Sequence, residues 1–189
     1  DGIAQSYFEY LRLPYTHSGV ISSFNAMNKI VSKEMFIRNK ILTPKYLSFK
    51  KGEIKENKFN KIIEKKIQYP LVIKPIDEGS SLGVKIVKNS KELLKTSKIL
   101  FKKYNQLIFE QYIAGQEIQV AVINNNPLGA IELIPKRSFY DYKAKYTKSA
   151  KTKHIMPAQL KNKDYKKVLS LAKQAHLALG CRGVTRSDF

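Results

Sequence analysis

A short apolar run, Pro70-Leu-Val-Ile-Lys74-Pro75, ends on a lysine and passes within a few residues into a loop of small side chains, Gly79-Ser80-Ser81-Leu82-Gly83. Apolar and β-branched residues bounded by prolines predict a buried strand over 70–74. The chain must therefore present Lys74 wherever the loop turns. Glycines let a backbone approach a ligand closely, hydroxyls add donors, and exposed amides in such a turn favour anions. In the phosphate loop G-x-x-x-x-G-K-[ST] the lysine follows the glycines, so that motif is excluded. Two readings stay open from these residues alone: a phosphate grip, or a hairpin whose lysine is merely solvated.

Elsewhere the hydrophobic period alternates between helix and strand. Ser22 or Ser23 can cap a helix over 24–39 that carries Met27, Ile30, Val31 and Met35 on one face. Pro44 bars its continuation, and 45–49 alternates as a short strand. A charged helix is expected near 56–66, a strand over 83–87, a helix over 91–103 capped by Ser90, and a strand over 107–111. An antiparallel pair, 117–124 and 128–134, is joined by Asn124-Asn125-Asn126-Pro127, whose side chains can bond their own backbone. Residues 136–153 are polar, basic and rich in tyrosine, a long loop of the kind that serves as a lid or stays unstructured. A helix over 162–179, with Val168, Leu169, Ala172 and Ala175 in one stripe, stops at Gly180. Periodicity alone gives "α/β or α+β".

The net charge of +20 and a pI near 9.9 would ordinarily point to nucleic acid or an anionic membrane. The lysines, however, are scattered over nearly every segment without interleaved stacking aromatics, which describes a solvated surface. A non-catalytic basic module binding nucleic acid is the competing class, and salt-dependent DNA binding would mark it. The 43% hydrophobic content and the length allow one or two domains with a sizeable core. No run of about eighteen apolar residues exists, so no membrane span is expected. The single cysteine, Cys181, cannot form an internal disulfide, which suits a reducing, cytoplasmic compartment.

Several further segments recur in a fixed order around the Lys74 loop: Pro14-Tyr15-Thr16-His17-Ser18-Gly19-Val20, Met27-Asn28-Lys29, Glu110-Gln111-Tyr112-Ile113, Gly115-Gln116-Glu117, Tyr142-Lys-Ala-Lys145-Tyr146 and Arg186-Ser-Asp188-Phe189. Together they resemble the D-alanine:D-alanine ligases, members of the ATP-grasp enzymes, over essentially the whole chain. The resemblance implies an α+β ATP-grasp fold in which two α+β lobes clamp ATP. Residues 1–20 would be the tail of an N-terminal α/β domain, 21–111 the central lobe and 112–189 the C-terminal lobe.

The roles it implies follow residue by residue. Lys29 and Lys74 match phosphate-binding lysines, with Ser81 beside them in the loop. Glu110 and the backbone of Gln111, Tyr112 and Ile113 match the adenine-binding hinge, and Glu117 the ribose acceptor, a task suited to a carboxylate. The family often has a basic residue in place of Gln111, and glutamine still donates. Lys145 would reach the phosphates from a closing loop, where Tyr146 would join Ser80 to hold the lid shut. Arg186 would stabilise a tetrahedral oxyanion and Asp188 would bind magnesium, or manganese in its place. Because Arg186 and Asp188 lie two apart on a strand, both face one side.

The implied reaction joins two D-alanines through a D-alanyl phosphate for peptidoglycan precursor synthesis, with a relative accepting D-lactate or D-serine as the alternative. A homodimer is implied too, with neither nucleic acid nor membrane as partner. The family's further metal ligands, in a downstream E-x-N, and its early glutamate have no position in these residues. The start at Asp1 and the stop after Phe189 suggest a piece of a longer chain that does not turn over alone. His17 stands where glycine is usual, and a surface loop residue is the expected reading over a catalytic one.

Overall fold

The computed structural model describes residues 1–53, 56–135 and 152–189. In chain order the elements are α1 (Ile3–Tyr10), α2 (Val20–Met27), α3 (Lys29–Arg38), β1 (Tyr46–Lys50), α4 (Glu56–Lys66), β2 (Leu71–Pro75) and β3 (Lys85–Val87). There follow α5 (Ser90–Lys103), β4 (Gln106–Gln111), β5 (Glu117–Ile123), β6 (Asn126–Ile134), β7 (Lys153–Ile155), α6 (Asn162–Ala178) and β8 (Val184–Asp188). They gather into two compact units, Thr43–Ala114 and Asp1–Leu42 with Gly115–Phe189. Residues 21–42, expected with the central lobe, thus cluster with the end of the chain. Their Ser22 hydroxyl donates to the Gly180 carbonyl at 2.6 Å, and α3 touches α6.

The single helix expected over 24–39 is two helices. Asn28 leaves the helical region (φ −83°, ψ 107°), and its side-chain oxygen accepts from the Ile30 and Val31 amides at 3.0 and 3.2 Å. An N-cap inside the run ends one helix and starts the next. The first of the two begins at Val20 with Gly19 before it, so Ser22 and Ser23, the expected caps, lie within α2. At α5 the cap is Asn89, not Ser90: its side chain accepts from the Glu92 amide at 3.0 Å, while the Glu92 carboxylate accepts from the Lys88 amide at 2.9 Å. That reciprocal arrangement is the logic of a capping box shifted one residue upstream.

In the unit Thr43–Ala114 the strands run in the order β1-β4-β2-β3, every pair antiparallel. Alternation sends Phe49, Leu71, Ile73, Val87, Leu107 and Phe109 to one face, where they form a core with Phe59 and Ile63 of α4 and Leu93 and Leu100 of α5. Burial of each such side chain is worth about 1.5–3 kcal/mol. The opposite face carries Val72, Lys74, Ile108 and Glu110.

The second unit holds a sheet in the order β7-β6-β5-β8. Ile118, Val120 and Val122 of β5 and Ala130 of β6 pack with Ala172 of α6. Asn124 (φ 46°) and Asn125 (φ 69°) make the tight β5–β6 turn as the asparagine cluster predicts, with β6 beginning already at Asn126. Helix α6 ends before Gly180 (φ 65°). The next turn then meets residues 16–18 closely: Ser18 Oγ donates to the Arg182 carbonyl at 2.9 Å, and a Cβ added at Gly183 (φ 64°) would lie 1.9 Å from the Thr16 carbonyl oxygen. Gly183→Ala is expected to lower unfolding stability by about 2 kcal/mol or more in urea denaturation, whereas Gly115→Ala, whose added Cβ meets nothing within 4 Å, stays within about 0.5 kcal/mol of the parent. Equal midpoints for the two variants would contradict the close approach.

Candidate functional site

Lys74 and Glu110 stand on the neighbouring strands β2 and β4, in a register that sets Val72 opposite Glu110 and Lys74 opposite Ile108. The offset of two keeps both side chains on the face away from α4 and α5, and there they form an ion pair. Glu110 is 5% exposed and Lys74 28%. A carboxylate this deep is tolerated only when paired, so Lys74 is not the merely solvated lysine of the hairpin reading.

Beyond Pro75 the loop is held by the Leu82 amide donating to the Gly79 carbonyl at 2.9 Å and the Val84 amide donating to the Ser81 carbonyl at 3.3 Å. Ser80 (φ 53°) and Ser81 (φ 60°) both occupy the left-handed region, as does Gly83 (φ 70°). Non-glycine residues held there cost about 1 kcal/mol or more each, and such strain gathers at ligand clamps. A Cβ at Gly83 would lie 2.7 Å from Pro75 Cγ, but one at Gly79 would meet nothing within 4 Å. The glycine required by local packing is Gly83, and the serines, not Gly79, take up the unusual backbone.

At the end of β4 the Gln111 amide donates to the Lys45 carbonyl at 2.9 Å and the Tyr112 amide to the Pro70 carbonyl at 3.3 Å. Both are thus engaged by the protein's own backbone, and the exposed Ile113 follows them.

The unit of Asp1–Leu42 with Gly115–Phe189 carries Lys29, Glu117, Arg186 and Asp188. Lys29 is the first residue of α3, where a cation opposes the helix dipole and adds nothing to helix stability. Glu117 opens β5 opposite Leu133. On β8, Arg186 lies opposite Ala121 and Asp188 opposite Gln119. The two side chains share a face and close a two-pronged ion pair, Nε to Oδ1 at 2.9 Å and Nη2 to Oδ2 at 3.3 Å. Half-exposed at 57% and 49%, such a pair is worth about 0.2–1 kcal/mol, so either partner can turn to a ligand at little cost. Among the described residues no group of three or more His, Cys, Asp or Glu could hold a metal. Magnesium takes one or two carboxylates when phosphates supply the rest, and Asp188 fits that limited part. Lys145 and Tyr146 lie outside the described residues.

His176 was not among the candidates, although the period that selects Ala172 and Ala175 also lands on it. It is 2% exposed, its Nδ1 is 2.7 Å from Thr185 Oγ1, and its Nε2 is buried with no partner among the described residues. Burial pushes the imidazole below its ordinary value of 6.5. His17 packs its ring against Tyr15, with centroids 4.9 Å apart, and against Phe8 at 6.3 Å. No helix among the described residues is long and apolar enough to cross a membrane.

A family model described as "D-ala D-ala ligase C-terminus" matches residues 35–189. The D-alanine–D-alanine ligase of Pelagibacter ubique is 53% identical over 191 residues, 100% of this chain and 61% of the relative. Among solved structures, a D-Ala:D-Ser ligase from Enterococcus faecalis superposes with a TM-score of 0.86 at 31% identity, over 100% of this chain and 55% of that one. D-alanine–D-alanine ligase from Bacillus anthracis gives 0.82 at 31% identity, over 100% and 60%, and its complex with ATP gives 0.79 at 26%, over 100% and 58%. The chain spans about three fifths of the length of the curated relatives it matches.

Removing Lys74 takes the cation from a buried carboxylate. Lys74→Met is therefore expected to lose about 1–3 kcal/mol in urea unfolding, and the double variant Lys74→Met/Glu110→Gln to regain most of it, in a double-mutant cycle. An additive cycle would show that the pair is not coupled. For His176 the unfolded chain takes up a proton near pH 6.5 that the folded state refuses, so stability falls as pH drops through that value, by up to about 1.4 kcal/mol per unit. His176→Gln should flatten this limb of the stability–pH curve.

Proposed function

The chain belongs to the D-alanine–D-alanine ligase family, and from that premise we propose that it carries the nucleotide-handling part of an enzyme that joins two D-alanines using ATP. Its fold is the α+β ATP-grasp fold of its structural neighbours. The observation that carries the proposal is the family match across residues 35–189, with polar groups of the matching motifs gathered on one face of β2 and β4 and one face of β8.

Lys29 and Lys74 would offset the charge of the ATP phosphates, and the strained Ser80–Ser81 loop would bring its backbone and hydroxyls to them. Glu110 would accept from the adenine amine while still held by Lys74, and the Ile113 amide, next after the two engaged hinge amides, would donate to the ring. Glu117 would take the ribose hydroxyls. Asp188 would hold the magnesium that travels with ATP and screens its phosphates.

In the reaction proposed, a carboxylate oxygen of the first D-alanine attacks the γ-phosphorus, the bond to the β-phosphate oxygen breaks, and ADP leaves. The amine of the second D-alanine then attacks the acyl carbon. Arg186, released from Asp188, stabilises the oxyanion before phosphate departs and the dipeptide remains. Lys145 and Tyr146 are proposed to close over the site, and the dipeptide to feed peptidoglycan precursors. The likeness to a D-Ala:D-Ser ligase at TM-score 0.86 supports a second reading, with D-serine as the second amino acid.

Phosphate release and product identity, measured on the full-length protein with ATP and D-alanine, alone or in competition with D-serine or D-lactate, separate these readings: D-alanine alone should support full turnover and D-alanyl-D-alanine should remain the main product. A preference for D-serine would favour the second reading, and absence of amino-acid-dependent release would overturn both. In the same assay Glu117→Gln is expected to raise KM for ATP about tenfold while that for D-alanine moves little, since one charge-assisted bond to the ribose is lost. Equal changes in both constants would remove Glu117 from the nucleotide.

A further inference from the structure

Behind the strands that carry Lys74 and Glu110, on the side of α4 and α5, the unit Thr43–Ala114 carries an open-mouthed cavity of about 470 Å³. That size lies within the usual range of small-molecule sites, about 300–1,000 Å³. Its inner wall is aromatic and aliphatic: Phe49 and Phe59 from the core, with Leu94 and Phe101 packed against them. The rings of Phe49 and Phe59 stand 5.5 Å apart at a steep angle, and those of Phe59 and Phe101 6.4 Å apart, so the wall offers ring edges as well as faces.

At the mouth stand four exposed lysines, Lys50, Lys51, Lys98 and Lys102, and no lining residue among those described is acidic. The carboxylate of nearby Glu53 accepts from the Lys50 amide at 2.6 Å. Ser97, in the middle of α5, is 3% exposed, and its hydroxyl is buried without a hydrogen-bond partner among the described residues. A helical serine ordinarily returns its hydroxyl to the preceding turn or to solvent, and a buried unsatisfied hydroxyl is disfavoured. Here it lines an apolar cavity whose entrance is cationic.

We propose that this cavity binds a small aromatic carboxylate bearing a ring hydroxyl: the ring against the phenylalanines, the hydroxyl paired with Ser97 Oγ, and the carboxylate among the lysines. Neither ATP nor D-alanine has this combination, so the site is separate from the proposed ligase chemistry.

Titration of the full chain with 4-hydroxyphenylacetate, followed by backbone amide shifts in NMR, tests it. Saturable shifts are expected at residues 49–52 and 97–102. Phenylacetate, lacking the hydroxyl, should bind about fivefold more weakly. Tyramine, which keeps the phenol and reverses the charge, should bind about tenfold more weakly. Ser97→Ala should bring 4-hydroxyphenylacetate down to the affinity of phenylacetate without affecting phenylacetate itself. Lys98→Glu with Lys102→Glu should abolish the preference over tyramine. Shifts that fail to saturate, shifts that acetate alone reproduces, or an unchanged preference in both variants would each overturn the assignment.

Discussion

The alternation of β2 and β4 is the constraint from which the rest of the unit Thr43–Ala114 follows. Both strands are covered on one face by α4 and α5, so Leu71, Ile73, Leu107 and Phe109 have to point that way, and the intervening residues have no choice but the other. A slip of one residue in either strand would bury Lys74 or Glu110 in a hydrocarbon core. In the native register the two meet each other instead, and the energy that specifies the core also fixes the polar pair.

The same rule shapes β8 by a different route. Thr185 faces inward, with its hydroxyl 2.7 Å from the buried His176, and this orients Arg186 and Asp188 outward on the opposite face. Each unit thus prepares its polar groups as a by-product of burying the residues between them. The two ion pairs differ in kind. Lys74–Glu110 is half-buried and structural in its energetics, whereas Arg186–Asp188 lies in solvent, where a competing ligand needs to overcome little.

Backbone strain is concentrated where side chains could not have announced it. Ser80 and Ser81 hold left-handed conformations in the loop after β2, and Gly183 admits the Thr16 carbonyl into space that a methyl group would fill. The first is a cost borne by a loop that turns back within a few residues. The second ties residues 16–18 to the turn after α6, which explains why the chain's first forty residues belong with its last seventy-five rather than with the strands that follow them directly.

Strand and helix identity was legible in the sequence because it depends on local period: β1, β2, β4, the β5–β6 hairpin and α6 lie close to where alternation and stripe put them. The order of motifs likewise sufficed for the family. Helix ends were read less well, since Asn28 caps a new helix inside an apolar period that runs on past it, and Asn89 takes the cap from the adjacent Ser90 only through the local geometry in which the Glu92 amide is presented. Tertiary structure alone decided that Lys74 is bound by Glu110 and that residues 1–42 pack with 115–189. Each of these depends on contacts between residues distant in sequence or on which side of an element the core happens to lie, and no period within a single segment carries that information.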